Sequence, residues 1–156
     1  MSKGQKIKRE VALTRVMPLL KELARIYGEE NVAIAGSVRR NCSMVGDVDI
    51  VIVGLPDRLP DAIDFTGGSV RRDTMCDDVQ VNLVFTDRAG FGACLQYFTG
   101  SKAFNIKTRV KAKGMGLKLN NSGVFDGENK RIAGESEMDV FLAIGMFFVP
   151  PEDRSV

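Results

Sequence analysis

Residues 47–53 read Asp-Val-Asp-Ile-Val-Ile-Val, a β-branched run with the composition of a buried strand and two charges at its start. Side chains alternate between faces in an extended chain, so Asp47 and Asp49 fall on one face, a single pleat apart. Two carboxylates held that close repel each other unless a cation lies between them. Just upstream, Ala35-Gly36-Ser37-Val38-Arg39-Arg40 supplies a glycine turn that lets backbone approach a ligand closely, a hydroxyl and two guanidiniums. Together these groups point to Mg²⁺ carrying a polyphosphate.

The rest of the chain bounds that reading. Its 156 residues suffice for one ordinary core or two small subdomains. With 44% hydrophobic and 27% charged residues it has the composition of a soluble globular protein. No apolar run approaches the roughly 20 residues of a membrane helix. The charged start, Met1 to Lys6, lacks the apolar segment of a secretory signal. Three cysteines (Cys42, Cys76, Cys94) without CxxC spacing, and no histidine, argue against structural zinc and a Cys–His nucleophile. The expectation is a reduced, intracellular protein, cytoplasmic if its source is prokaryotic, acting as a monomer without a membrane partner. Net charge is only +2, but no acidic residue occurs between Asp87 and Asp126. Arg88, Lys102, Lys107, Arg109, Lys111, Lys113 and Lys118 fall in that gap, which suits either a phosphate-facing surface or a solvated basic helix face.

Apolar spacing predicts a helix over 7–27, with Val16, Leu19, Leu20, Leu23 and Ile26 on one side, kinked or divided at Pro18 and stopped by Gly28. Strands are expected at 31–35, 47–53 and, as an antiparallel pair around a Met75–Asp78 turn, at 69–74 and 79–86. From Gly90 the character becomes helical, with a pair of strands near 115–126 and a helix from about Ser136 to Phe148 ended by Pro150-Pro151. The natural division is an α/β half, 1–88, and a basic, mostly helical half, 89–156.

Three segments carry a resemblance. Gly-Ser-x-x-Arg at 36–40 followed by Gly46-Asp47-Val48-Asp49 resembles the signature of the nucleotidyltransferase superfamily that includes DNA polymerase beta. Tyr97-Phe-Thr-Gly-Ser101, with Asn105 and Arg109 downstream, resembles a segment of family X DNA polymerases, and Phe148-Val-Pro-Pro-Glu-Asp-Arg154 is similar to that family's chain end. The resemblance implies an α+β fold: a nucleotidyltransferase-type palm, a mixed or antiparallel sheet with flanking helices, then a small, mostly helical C-terminal subdomain. It implies a DNA-directed DNA polymerase that extends a primer 3′-OH with a deoxynucleoside triphosphate by a two-metal mechanism, in repair or gap filling. Two Mg²⁺ ions, replaceable by Mn²⁺, would lie on Asp47, Asp49 and residue 82.

The same resemblance assigns Gly36, Ser37, Arg40 and Gly46 to the triphosphate, with Arg39 a weaker candidate. Tyr97 and Phe98 would pack on the incoming sugar, the backbone through Gly100 would filter against a 2′-OH, Asn105 would read the base edge and Arg109 the template side. Lys102, Lys107, Arg109, Lys111 and Lys113 would hold the DNA backbone. Lys6 falls at a phosphate-binding arginine of the family, or is a tail lysine.

One position departs from the pattern. The family's third carboxylate falls at Asn82 in this sequence, and an amide is neutral, not basic near neutral pH and a weak oxygen ligand. Asp78 lies about 13 Å away along a strand at ~3.3 Å per residue, and Asp77 is no better placed. Gln80 also stands where many relatives carry an arginine. Asn82 marks either an Asp→Asn change that traps substrate without turnover or a weakened or inactive natural relative. The remaining alternatives are a nucleotidyltransferase with a non-DNA substrate and a non-catalytic DNA- or nucleotide-binding relative.

Overall fold

The first long element is amphipathic. A short strand β1 (Ile7–Lys8) leads into α1 (Arg9–Tyr27), whose Ala12, Val16, Leu19, Leu23 and Tyr27 recur every three or four residues and are all buried. The helix runs on through Pro18 as one element. Gly28, at φ 95°, ends it and donates its N–H to the Ala24 carbonyl at 2.8 Å. This is a computed structural model describing residues 5–155; the first four residues of the charged N-terminal stretch lie outside it.

Seven further elements complete the first half: β2 (Val32–Ala35), α2 (Gly36–Arg39), β3 (Met44–Val45), β4 (Asp47–Val53), β5 (Thr66–Gly67), β6 (Arg71–Cys76) and β7 (Val79–Thr86). Five strands form a mixed sheet in the order β2-β4-β7-β6-β5, parallel only between β4 and β7. β1 and β3 make a separate antiparallel pair. The β6–β7 hairpin is tighter than its sequence suggests: Asp77 and Asp78 alone form the turn, both at positive φ, which suits a two-residue connection.

Strand alternation then divides the sheet into two unlike faces. Val48, Ile50 and Ile52 of β4 join Val79, Val81, Leu83 and Phe85 of β7 against α1 in the main core. The opposite face is apolar only along part of its length, where Ala35, Val51 and Val84 pack with Cys94. Toward the start of β4 that face carries Asp47 and Asp49 instead, both half-buried. The carboxylates are thus the polar end of an otherwise covered surface.

The second half covers the apolar part. α3 (Phe91–Thr99) follows Asp87, whose side chain accepts from the Gly90 N–H at 2.8 Å. α4 (Lys102–Gly114) is capped by Ser101 and turns Phe104, Thr108 and Ala112 inward, at i, i+4 spacing. β8 (Lys118–Asn120), β9 (Gly123–Phe125) and β10 (Arg131–Ala133) form an antiparallel sheet whose third strand was not expected, and α5 (Glu137–Ala143) is capped by Ser136. The last helix was expected to reach Phe148 but stops at Ala143, because Gly145 takes φ 73° and turns the chain.

The chain end is anchored by Arg154, fully buried, whose guanidinium carbon lies 5.1 Å from the Phe141 ring centroid and 5.3 Å from that of Phe148. It also donates to Glu137 at 2.6 Å and to the Val149 carbonyl at 2.8 Å.

Candidate functional site

The strand-to-helix turn comes first. Gly36 follows β2 at φ 67°, and a Cβ there would sit 2.4 Å from Asp49 Oδ2. Glycine lets the turn cross directly over the β4 carboxylate. Gly36→Ala is expected to lower stability by about 1–2 kcal/mol from the left-handed backbone alone and to push the Asp49 carboxyl from its place. Urea unfolding reads the first effect and a crystal structure of the variant the second. A variant as stable as wild type would show that the turn relaxes freely.

Below the turn, β4 and β7 run in parallel register, with Asp49 opposite Asn82 and Asp47 opposite Gln80. Asn82 is only 3% exposed. Its Nδ2 donates to Asp47 Oδ2 at 3.0 Å and to Asp49 Oδ1 at 2.9 Å, and its Oδ1 accepts from Gln80 Nε2 at 2.9 Å. Burial, followed by the neighbouring Asp47 charge, pushes the Asp49 carboxyl up to about 6, partly offset by the Asn82 hydrogen bond and by Arg71 and Arg40. A cation at these carboxylates would reverse that balance.

Among the described residues no group of three or more His, Cys, Asp or Glu side chains could hold a metal ion. Asp47 and Asp49 each keep a second oxygen, which suits a divalent ion that brings triphosphate oxygens of its own. Residue 82 does not suit an ion in this orientation, since it turns an amide NH₂ toward the aspartates.

The cleft above has a volume of about 480 Å³. Gly36, Ser37, Arg40, Asp47 and Asp49 line one wall. Tyr97, Phe98, Gly100, Ser101, Lys102, Asn105 and Arg109 line the other. Arg40 reaches across it, its Nη1 donating to the Thr99 carbonyl at 2.7 Å. Asn105 Nδ2 donates to the Tyr97 carbonyl at 2.7 Å, and the Tyr97 and Phe98 rings meet edge to face with centroids 5.0 Å apart. Gly100 takes φ 66°, and its peptide bond to Ser101 is cis. Segments about 60 residues apart in sequence thus face each other, and Asn82 lies beneath them.

Other candidates lie elsewhere. Gly46 is outside the cleft lining, with open space where a Cβ would project. Lys107, Lys111 and Lys113 are exposed on α4, and Lys6 is exposed ahead of β1. Arg39 turns away from the cleft: its guanidinium donates to Thr99 Oγ1 at 2.9 Å and to both Glu137 carboxylate oxygens, at 2.8 and 2.6 Å. The two adjacent arginines therefore serve different places. Glu137 and Arg154 were not expected as partners of this region; no local spacing could have shown a pairing across 98 residues.

Comparison with known proteins agrees with the fold. The fold matches Leishmania infantum polymerase beta in a ternary P/T complex with a TM-score of 0.82, at 21% identity, over 99% of this chain and 78% of that one. The same enzyme in a ternary gap complex matches equally well, at 20% identity over 98% of this chain and 72% of that one. The architecture is that of a polymerase beta-type, mixed α/β protein. The model for the DNA polymerase beta thumb matches residues 94–155. Human DNA-directed DNA/RNA polymerase mu is 38% identical over 91 residues, 57% of this chain. The chain is similar to family X polymerases in these segments and in its fold. It spans 18% of the length of that human relative.

Proposed function

We propose that this chain is a DNA-directed DNA polymerase by descent and site design, binding a deoxynucleoside triphosphate with Mg²⁺ in the cleft and a primer–template beside it. Residues 1–88 serve as the palm and residues 89–156 as the nucleotide-selecting, DNA-gripping part. One observation carries the reading: the Gly36-Ser37 turn, Arg40, Asp47 and Asp49 face Tyr97, Phe98 and Asn105 across a single cleft. Ser37, Arg40 and the turn neutralise triphosphate charge. Tyr97, Phe98 and Gly100 border the sugar, Asn105 the base and Arg109 the template. Asp47 and Asp49 would hold Mg²⁺, which would supply charge neutralisation at the triphosphate, and a carboxylate at residue 82 would complete the site for a second ion able to lower the pKa of the primer 3′-OH. Gap filling or repair is the role such a site suits, and the matched Leishmania infantum polymerase beta structures are ternary P/T and gap complexes.

The DNA grip is testable apart from chemistry. Lys107, Lys111 and Lys113 stand exposed on one helix with no acidic residue in it. Binding of a labelled one-nucleotide-gapped duplex is expected to fall steeply with salt. Lys107→Ala and Lys111→Ala should each weaken binding regardless of sequence and lower the log–log salt slope by about 1. An unchanged slope in both variants would remove α4 from the DNA interface.

Asn82 favours a second reading, a non-catalytic nucleotide- or DNA-binding relative. Primer extension by an Asn82→Asp variant separates the two. Extension supports the polymerase reading, and its absence, with gapped DNA and nucleotide still bound, supports the binding module.

A further inference from the structure

Asn82 is engaged at both ends of its amide. An amide NH₂ has two donors, and here both go to carboxylates of the same strand face, Asp47 Oδ2 and Asp49 Oδ1, while Gln80 Nε2 satisfies Oδ1 from behind. Turning the amide oxygen inward would break three hydrogen bonds and bring three oxygen-bearing groups together with no donor among them. The residues therefore do not fit the full ion complement that the family implies. They suit an ion arriving with the triphosphate and oppose one at residue 82.

We propose that Asn82, backed by Gln80, is an internal bridge standing in for a second cation between Asp47 and Asp49, so that the chain holds nucleotide with a single divalent ion. The bridge also relieves the repulsion of the aspartate pair in the metal-free protein. Asn82 is then a working part of the binding site: it stabilises the apo form and sets the ion count. The ion count rests on the nucleotide-binding reading above. The apo stabilisation does not.

Two variants test it. Asn82→Ala removes the bridge without adding charge, and Asn82→Asp removes it while adding a carboxylate. Wild type and both variants are melted in EDTA and in Mn²⁺. Bound Mn²⁺ is then counted by electron paramagnetic resonance with a non-hydrolysable deoxynucleoside triphosphate analogue. Both variants should melt below wild type in EDTA, by about 5 °C or more given two hydrogen bonds to charged groups. Mn²⁺ should raise their melting temperatures more than that of wild type. The ion count should be one for wild type and Asn82→Ala, and two for Asn82→Asp. Variants that melt with wild type in EDTA would overturn the bridge. Two ions on wild type would overturn it while leaving nucleotide binding intact. No bound ion on any form would overturn the ion count and the nucleotide reading together.

Discussion

Asn82→Asp is expected to raise single-turnover nucleotide incorporation on gapped DNA by about 10²- to 10⁴-fold, the range that a positioned general base contributes. Residue 82 lies opposite Asp49 in the β4–β7 register and points at both aspartates, so a carboxylate there needs no movement of backbone to face a primer hydroxyl. Nucleotide affinity should change little, because Ser37, Arg40, Tyr97 and Asn105 are untouched. Rapid-quench kinetics with Mg²⁺ or Mn²⁺ separates the maximal rate from the nucleotide dissociation constant. A rate no higher than wild type would sink the assignment of residue 82 as the missing carboxylate. A large affinity change with a constant rate would place it among the nucleotide ligands instead.

Much of this site can be read from period and order alone. The alternation of β4 puts Asp47 and Asp49 on one face, and the apolar composition of the same strand makes that face part of a sheet interior. A glycine at positive φ is what a strand end crossing a neighbouring carboxylate requires, and Gly36 supplies it. The features that escape the sequence are those decided by tertiary pairing. Arg39 and Arg40 are chemically identical neighbours, yet Glu137 takes one and the cleft the other. Gly145 stops α5, whereas Pro150 is the louder signal in the sequence. Three-residue β10 is too short to show an alternation, and it exists because β9 offers it an edge. The amide orientation of Asn82 depends on Gln80 and two aspartates at once.

The Arg39–Glu137–Arg154 cluster should contribute strongly to stability, and a conservative substitution can remove it. Glu137 is 8% exposed and Arg154 fully buried, so Glu137→Gln leaves a buried guanidinium without its countercharge. Removing one partner of such a pair costs about 3–5 kcal/mol, a large share of a domain's usual stability of about 5–15 kcal/mol. Burial raises the Glu137 carboxyl, but hydrogen bonds from Arg39 and Arg154 and their charges outweigh it and hold it below the usual 4.5. A carboxyl depressed in the folded state stabilises fully above that value and loses the contribution as pH falls through its folded one. The stability gap between wild type and Glu137→Gln should therefore be widest near neutral pH and narrow below about pH 4.5. Urea unfolding of both proteins from pH 7 to pH 3.5 measures it. Because Arg39 joins α2 to α5 through Glu137, the variant should also loosen the wall that carries Ser37 and Arg40, seen as faster amide exchange in α2. A gap under about 1 kcal/mol at pH 7 would be no more than a surface ion pair gives. In that case the Phe104, Phe141 and Phe148 rings around Arg154, rather than the carboxylate, hold the chain end in place.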